Sequence, residues 1–390
     1  MARIDSMYPE SVKVGKPLLS ELPKGWEQKS LDNYLNLESR KVNLENDKEY
    51  DLVTVKRSRG GVVRREHLKG RDISVKSQFY IKEGDFLISK RQIVHGACGI
   101  VPRNLNDSIV SNEYSVFTAK ENFYLPFLEY LSETLYFQQV CFHSSIGVHI
   151  EKMIFKLDEW FKWSFNIPPL AEQKRIAEIL LTWDKAIETV EKLVANSQRQ
   201  KKALMQQLLT GQKRLLDDNG VKFGDEWEEK SIKSILTISK GQQLNRDTLN
   251  TTSVYPVING GIVPSGYTDD FNTNANTITI SEGGNSCGYV SFQKTDFWCG
   301  GHCYALKKLK LNLEFTYHLL KFNEIQIMRL RVGSGLPNIQ KKDLENLEVS
   351  FPTNSHEQEK IAQVLTLADQ EIELYQQQLD KLKLEKKALM

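Results

Sequence analysis

"IPPLAEQKRIAEILLTWDKAIE", Ile167–Glu188, returns later in the chain as "FPTNSHEQEKIAQVLTLADQEIE", Phe351–Glu373. Laid together without gaps, Glu172-Gln173 falls on Glu357-Gln358, an offset of 185 residues. The register holds through Ile176/Ile361, Ala177/Ala362, Leu180/Leu365, Asp184/Asp369 and Ile187/Ile372. The tails agree as well, in "KKALM" at Lys201–Met205 and Lys386–Met390. A match sustained over that length is an internal repeat.

Its spacing predicts helix. In the first copy Ile176, Leu180, Trp183, Ile187, Val190, Val194, Leu204 and Leu208 follow steps of three and four, with Ser197 and Lys201 interrupting. In the second the series is Ile361, Leu365, Ala368, Ile372, Tyr375, Leu379, Leu382 and Leu389, with Lys386 interrupting. Apolar residues every 3.5 positions make a seam for a partner helix. Pro168-Pro169 and Pro352 sit just upstream, where proline precedes a helix without breaking it, and Gly211 supplies a stop. From Ala171 to Thr210 the first helix would run about 60 Å, longer than a small domain is wide. Two ordinary amphipathic helices in separate cores are the plainer reading. Two such seams in one chain, however, most simply pair with each other, antiparallel.

The blocks before the helices repeat more loosely. "LPKGWEQKSLDNYL" begins at Leu22 and "FGDEWEEKSIKSIL" at Phe223, matching Trp26/Trp227, Glu27/Glu228, Lys29/Lys230 and Ser30/Ser231 at an offset of 201. Each opens a block that leads to one long helix. Near the ends come "SSIGVHIEKMIFKL" (Ser144–Leu157) and "GSGLPNIQKKDLENL" (Gly333–Leu347). The interiors differ, yet both read as short strands with turns, such as "GDFLISK" (Gly84–Lys90) and "NTITISEGG" (Asn276–Gly284), followed by helical patches at Tyr124–Val140 and Leu313–Met328. The expected divisions are an N-terminal segment 1–21, a globule 22–165, a long helix 166–211, a linker 212–222, a second globule 223–349 and a second long helix 350–390. The fold class is α+β, with two globules of mixed strands and helices, two long antiparallel coiled-coil helices and pseudo-twofold symmetry.

Composition agrees. A chain of 390 residues suits two domains. With 26% charged and 40% hydrophobic residues it reads as globular, and no apolar run approaches a membrane span. The opening "MARIDSMYPESVKVGK" has no apolar signal core, which makes the cytoplasm the expected location. Five cysteines without regular spacing fit reduced thiols.

Charge is uneven. Between Asp51 and Arg103 there are 12 Lys and Arg against 5 Asp and Glu. "VKRSRGGVVRREHLKGR" (Val55–Arg71) carries Lys56, Arg57, Arg59, Arg64, Arg65, Lys69 and Arg71, with Gly60-Gly61 set for a tight turn. "SKRQIVHG" adds Lys90, Arg91, Gln92 and His95. Arginine and glutamine near turns suit direct readout of base edges, and lysine suits phosphates, so these are candidate DNA contacts. A solvated basic face is the plain alternative. The second block is balanced at 11 basic against 10 acidic from Thr237 to Val349, and its candidates are Lys240, Gln242, Gln243, Asn245, Arg246, Arg329 and Arg331.

Catalytic signatures are missing from the sequence. There is no phosphate-binding loop, nucleophile elbow or H-E-x-x-H. "NIPPL" (Asn166–Leu170) lacks the spacing and aromatic of an adenine methyltransferase motif. "CGGHC" (Cys299–Cys303), with Cys287 nearby, lacks clean zinc couplets and reads as buried strand cysteines.

The paired helix openings "PPLAEQKRIAEIL" and "EQEKIAQVL", the ending "KKALMQQLLTG" and the two divergent globules together resemble the specificity subunit of type I restriction-modification systems. The resemblance covers nearly the whole chain. The second copy departs from the first by losing one proline and by ending at Met390 where the first continues "QQLLTG". The resemblance implies that each globule is a target recognition domain reading half of a split site in double-stranded DNA. It implies that the helices set the spacing and dock two methyltransferase subunits, through the seam residues Ile176, Leu180, Trp183, Ile187, Val190, Ile361, Leu365, Ile372, Tyr375, Leu379 and Leu382, and that restriction subunits join. Catalysis, S-adenosylmethionine and ATP would then belong to the partners, this chain holding no cofactor. The competing reading is a coiled-coil scaffold whose globules bind proteins.

Overall fold

The computed structural model describes residue 12 and residues 15–390, apart from 246, 248, 334 and 336. The chain forms two compact units, residues 1–187 with 382–390 and residues 188–381. Each unit owns part of both long helices.

The repeated "WE-K-S" stretches are the same strand in each unit. Glu27–Ser30 pairs antiparallel with Ser164–Ile167, from Glu27↔Ile167 to Ser30↔Ser164. Trp227–Ser231 pairs with Glu348–Pro352, from Trp227↔Pro352 to Ser231↔Glu348. This strand pair brings each block's beginning to its end, where the long helix starts. One turn of helix then follows each serine, Leu31–Asn33 and Ile232–Ile235.

The interiors, unlike in sequence, share a sheet. In the first unit its order is Leu35–Glu38, Tyr114–Ala119, Phe86–Ser89, Cys98–Ile100. In the second it is Thr237–Lys240, Cys303–Lys307, Thr277–Ser281, Val290–Gln293. Both are antiparallel, with the first strand beside the last and a hairpin beyond. Each helical patch is broken in two: Leu125–Leu131 with Leu135–His143, and Leu313–Phe322 with Glu324–Arg329. A five-stranded sheet is particular to the first unit and ends on the hairpin Glu49–Val55/Val62–Lys69. A three-stranded one, ordered Tyr267–Thr268, Tyr255–Ile258, Trp298–Cys299, belongs to the second. The first core closes around the fully buried Trp160, with Phe117, Phe137, Phe155 and Phe165 ringing it. The second gathers Ile278, Ile280, Phe315, Leu320, Ile339 and Leu365.

The long helices run Leu170–Leu208 and Ser355–Leu389. The proline missing from the second is replaced by a cap: the Asn354 carboxamide oxygen accepts from the backbone N–H of His356 and Glu357 at 2.9 and 3.3 Å. Gly211, at φ +71, ends the first against the Trp227 ring, as its placement predicts. The repeated Glu-Gln has a structural use. Gln173 and Gln358 are buried and fasten each helix opening to its globule. Gln173 accepts from Tyr124 N–H and donates to the Pro168 and Asn122 carbonyls; Gln358 accepts from Asn312 N–H and donates to the Pro352 carbonyl.

The seam is visible as burial. Leu180, Val190, Val194, Ile361, Leu365 and Leu379 are buried, and Ile176, Trp183, Ile187, Ile372, Tyr375 and Leu382 are half-buried. The interruptions also face inward. Ser197 is buried, and the Lys201 and Lys386 side chains are 13% exposed. In the second unit Lys201 reaches Asp369 at 2.5 Å; in the first, Lys386 reaches Asp184 at 2.7 Å. These are equivalent positions of the repeat. Within each unit the end of one helix thus lies beside the start of the other, the antiparallel pairing the sequence predicts.

His318, on Leu313–Phe322, is 1% exposed and has Thr366 at 3.1 Å. Burial, and then the Lys201 ammonium, hold its imidazole down to about 4 against the pull of Asp369. A depressed histidine is neutral in the folded state and takes up its proton on unfolding. Stability is therefore full above the unfolded value of about 6.5 and is lost as pH falls toward 4, by about 3 kcal/mol in all. Denaturant titrations of wild type and His318→Gln at pH 7 and 4.5 should show a steeper acid loss in the wild type. Parallel losses would sink the assignment.

Candidate nucleic-acid interface

The basic stretch of the first unit forms the hairpin Glu49–Val55/Val62–Lys69, with the turn at 56–61. Lys56 N–H meets the Gly61 carbonyl and Gly60 N–H meets that of Arg57. Gly61 takes φ +80, and a Cβ on Gly60 would stand 2.7 Å from that of Lys56, so both glycines are needed. The turn docks on the loop after Phe86–Ser89, through Ser58 N–H to His95 O and Arg59 N–H to Gly96 O.

Acids and carbonyls that the charge count treats as scattered lie beside these basic side chains. Arg57 donates to Gln92 at 2.8 Å and to Glu151 at 2.6 Å, and Glu151 also reaches the buried His95 at 3.2 Å. Burial, then Arg57, lower the His95 pKa. Arg59 gives its Nε to the Ser132 carbonyl. Arg64 pairs with Asp51, Arg65 with Glu66, Arg71 with Asp47 and Arg91 with Glu113. His67 bridges Asp51 and Glu49, and those hydrogen bonds raise its pKa. Lys90 holds the Asn112 carbonyl, while Lys56 is exposed and Lys69 half-buried. Arg57, Arg64, Arg65, Arg71 and Arg91 all remain more than half exposed, so the hairpin, the turn after it and the loop after Phe86–Ser89 carry pre-oriented guanidinium groups. Such surface pairs are worth little by themselves and exchange readily for other anions.

In the second unit three strand ends converge, each followed by a Gly-Gly. Tyr255–Ile258 leads to Asn259-Gly260-Gly261, Thr277–Ser281 to Glu282-Gly283-Gly284, and Trp298–Cys299 to Gly300-Gly301-His302. Hydrogen bonds zip them together. Gly300 N–H meets Ile258 O, Glu282 N–H meets His302 O, His302 N–H meets the Asn259 side-chain oxygen, and the Ser281 and Ser286 hydroxyls both donate to Gly260 O. A Cβ on Gly300 would stand 2.4 Å from Asn259, and one on Gly260 2.7 Å from the His302 carbonyl. Above them opens a cleft of about 1030 Å³. Leu244, from the stretch holding Gln242 and Gln243, lines one side, and Pro337-Asn338, just beyond Arg329 and Arg331, the other. Gln242 N–H bonds the Cys299 carbonyl, Lys240 pairs with Glu282, and Gln242, Gln243, Asn245, Arg329 and Arg331 are exposed. Arg246 lies outside the described residues. Cys299 and Cys303 are buried thiols on strands, beside but not lining the cleft. Sequence reading missed the cleft, although its signal was the threefold Gly-Gly.

The profile of the family described as "Type I restriction modification DNA specificity domain" matches residues 23–196 and 224–384. The chain belongs to that family. Both blocks and most of both long helices fall within the match. A putative type I specificity subunit of Mycoplasma genitalium is 38% identical over 150 residues, 38% of this chain and 39% of that one. One of Mycoplasma pneumoniae is 37% identical over 150 residues, 38% and 40%. The chain thus spans about two-fifths of the length of these two relatives. A type I restriction enzyme specificity subunit of Methanocaldococcus jannaschii is 22% identical over 273 residues, 62% of each chain. The crystal structure of a type I restriction-modification system S subunit from M. genitalium shares the fold, with TM-score 0.67 at 15% identity over 96% of this chain and 98% of that one. A chain from a type I R-M complex shares it at TM-score 0.55 and 19% identity, over 95% and 97%. Among the described residues, no helix of this family member is long and apolar enough to cross a membrane.

Proposed function

We infer that this chain is the non-catalytic, DNA-reading subunit of a type I restriction-modification complex. Each unit reads one half of a bipartite site in double-stranded DNA, and the paired helices set the distance between halves. Two methyltransferase subunits dock on the helices, and restriction subunits join that assembly. S-adenosylmethionine and ATP belong to those partners. The observation that carries this reading is the duplicated frame with divergent interiors. The same strand pair and the same buried glutamine close each globule onto its helix, while a basic hairpin marks one interior and a glycine-walled cleft the other. Two readers on one ruler suit two different half-sites.

Exchanging residues 22–165 for the matching block of a relative, followed by selection of bound DNA from a random pool with the reconstituted complex, should change one half of the target and leave the other. A swap that altered both halves, or neither, would contradict two independent readers. In the first unit, Arg64→Ala and Arg65→Ala should each weaken binding evenly across sequences and lower the salt slope by about one. Gln92 and Glu151 pre-orient the Arg57 guanidinium from two sides, and Arg57→Ala should instead lower discrimination at one base pair. Wild-type salt slopes and mismatch penalties in all three would mean that the DNA surface lies elsewhere.

A further inference from the structure

Resting on the reading of the chain as a DNA-specificity subunit, we propose that the glycine-walled cleft of the second unit is its base-reading site, with Asn259, His302 and Asn338 determining specificity. The two units then read DNA by different chemistry. Among the described residues lining the cleft none is charged, so it has little to offer a phosphate. It offers instead a carboxamide, an imidazole and a second carboxamide, set against the apolar side chains of Leu244, Leu249 and Val257. Base edges need that mixture: hydrogen-bond groups for the ring nitrogens and exocyclic groups, and an apolar wall for a thymine methyl.

The reading groups are held in place before any ligand arrives. Asn259 is fixed through its side-chain oxygen by His302 N–H at 3.0 Å, which directs its amino group as a donor. Asn338 is set by paired backbone bonds with Val332 and by Gln340 donating to its side-chain oxygen. His302 is exposed and stands on a loop against which Gly300 and Gly260 leave no room for a Cβ. Groups on a rigid floor lose little entropy on binding and discriminate sharply. Bare glycine at Gly261, Gly283 and Gly284 also lets a nucleic-acid edge approach the floor closely.

Charge flanks the cleft instead of lining it. Arg329 and Arg331 are exposed and, among the described residues, make no ion pair. Arg329 ends the second helical patch and Arg331 follows it, both ahead of the Pro337-Asn338 rim, where they can take the strand's phosphates. Positioning by phosphate and specification by base edge are thereby assigned to different residues.

The test uses the full chain with its modification subunit and DNA pools randomised in one half-site at a time. For wild type, a single preferred half-site should emerge for each unit. Asn259→Ala, His302→Ala and Asn338→Ala should each relax preference at one or two base pairs of one half-site by about 5- to 100-fold. The other half-site and the salt slope should stay as in wild type, and so should the melting temperature of His302→Ala and Asn338→Ala; Asn259→Ala, which also removes the acceptor of the His302 N–H, should melt slightly lower but still fold. Arg329→Ala and Arg331→Ala should lower affinity for every sequence and reduce the salt slope by about one each. Variants that fold and keep the wild-type preference at every position would overturn the proposal while leaving the family reading intact. Relaxed preference in the arginine variants alone would likewise overturn it. A wild-type complex selecting no bipartite sequence would overturn both the proposal and the reading beneath it.

Discussion

Replacing Arg214 by alanine should cost about 3–5 kcal/mol, the usual penalty for leaving one partner of a buried ion pair alone. The Glu357 carboxylate is 0% exposed, and Arg214 meets it with two parallel donors, Nε and Nη2, both at 2.6 Å. The same guanidinium binds the Asp225 carbonyl at 2.9 Å. Without it, the opening turn of the second long helix would keep a charge with neither water nor counter-ion. Neutralising that charge should restore much of the loss, so Arg214→Ala/Glu357→Gln should melt well above Arg214→Ala. The repeat supplies a control: Glu172, the equivalent of Glu357, is exposed, and Glu172→Gln should change stability by about half a kcal/mol or less. Urea titrations of the wild type and these three variants decide it. An Arg214→Ala protein with the wild-type midpoint would show that water reaches Glu357 and that the pair is ornamental.

The second large effect falls on the two fastening glutamines. Leucine at Gln173 keeps the bulk but leaves Tyr124 N–H and two carbonyls without their partner; leucine at Gln358 does the same to Asn312 N–H and the Pro352 carbonyl. Each substitution should cost about 2–4 kcal/mol, since buried backbone groups would stay unpaired. The two sites share no partner, so the double variant should lose the sum. Glutamate should be no remedy: it has no amino group for Pro168 or Pro352. If Gln173→Leu and Gln358→Leu differ severalfold, the two openings are not one device used twice.

How much of this was legible beforehand follows from what kind of information each feature uses. The helices were, because seam spacing is local and repeated, and even Lys201 and Lys386, which look like faults in the pattern, turn out to be inward positions with a partner aspartate. The Trp-Glu…Lys-Ser match marked a frame, though not that it was a strand returning to the foot of the helix; pairing between residues more than a hundred apart leaves no local trace. The second copy departs from the first by one proline, and Asn354, two positions after Pro352, supplies the cap instead. The site was read less well. Counting charges between Asp51 and Arg103 found the basic hairpin but not the carboxylates beside it, since Glu151 and Glu113 come from other parts of the chain. In the second unit a charge count is blind by construction, because the cleft is neutral. Its glycine pairs were in plain view, yet only the sheet brings 260, 283 and 300 to one place.

The doubled lysine–aspartate contact has a consequence for ancestry and engineering. Each helix carries both halves of the contact, Asp184 with Lys201 and Asp369 with Lys386, separated by the same seventeen residues. A single copy is therefore complementary to itself turned end over end, which is the condition for an isologous dimer. Nothing in the contact requires the two helices to be joined by one chain. A half-length polypeptide, one globule and one helix, would present its own mate to a second molecule of the same kind. Fusion of two such halves keeps both contacts within one chain while leaving each globule its own sequence to vary.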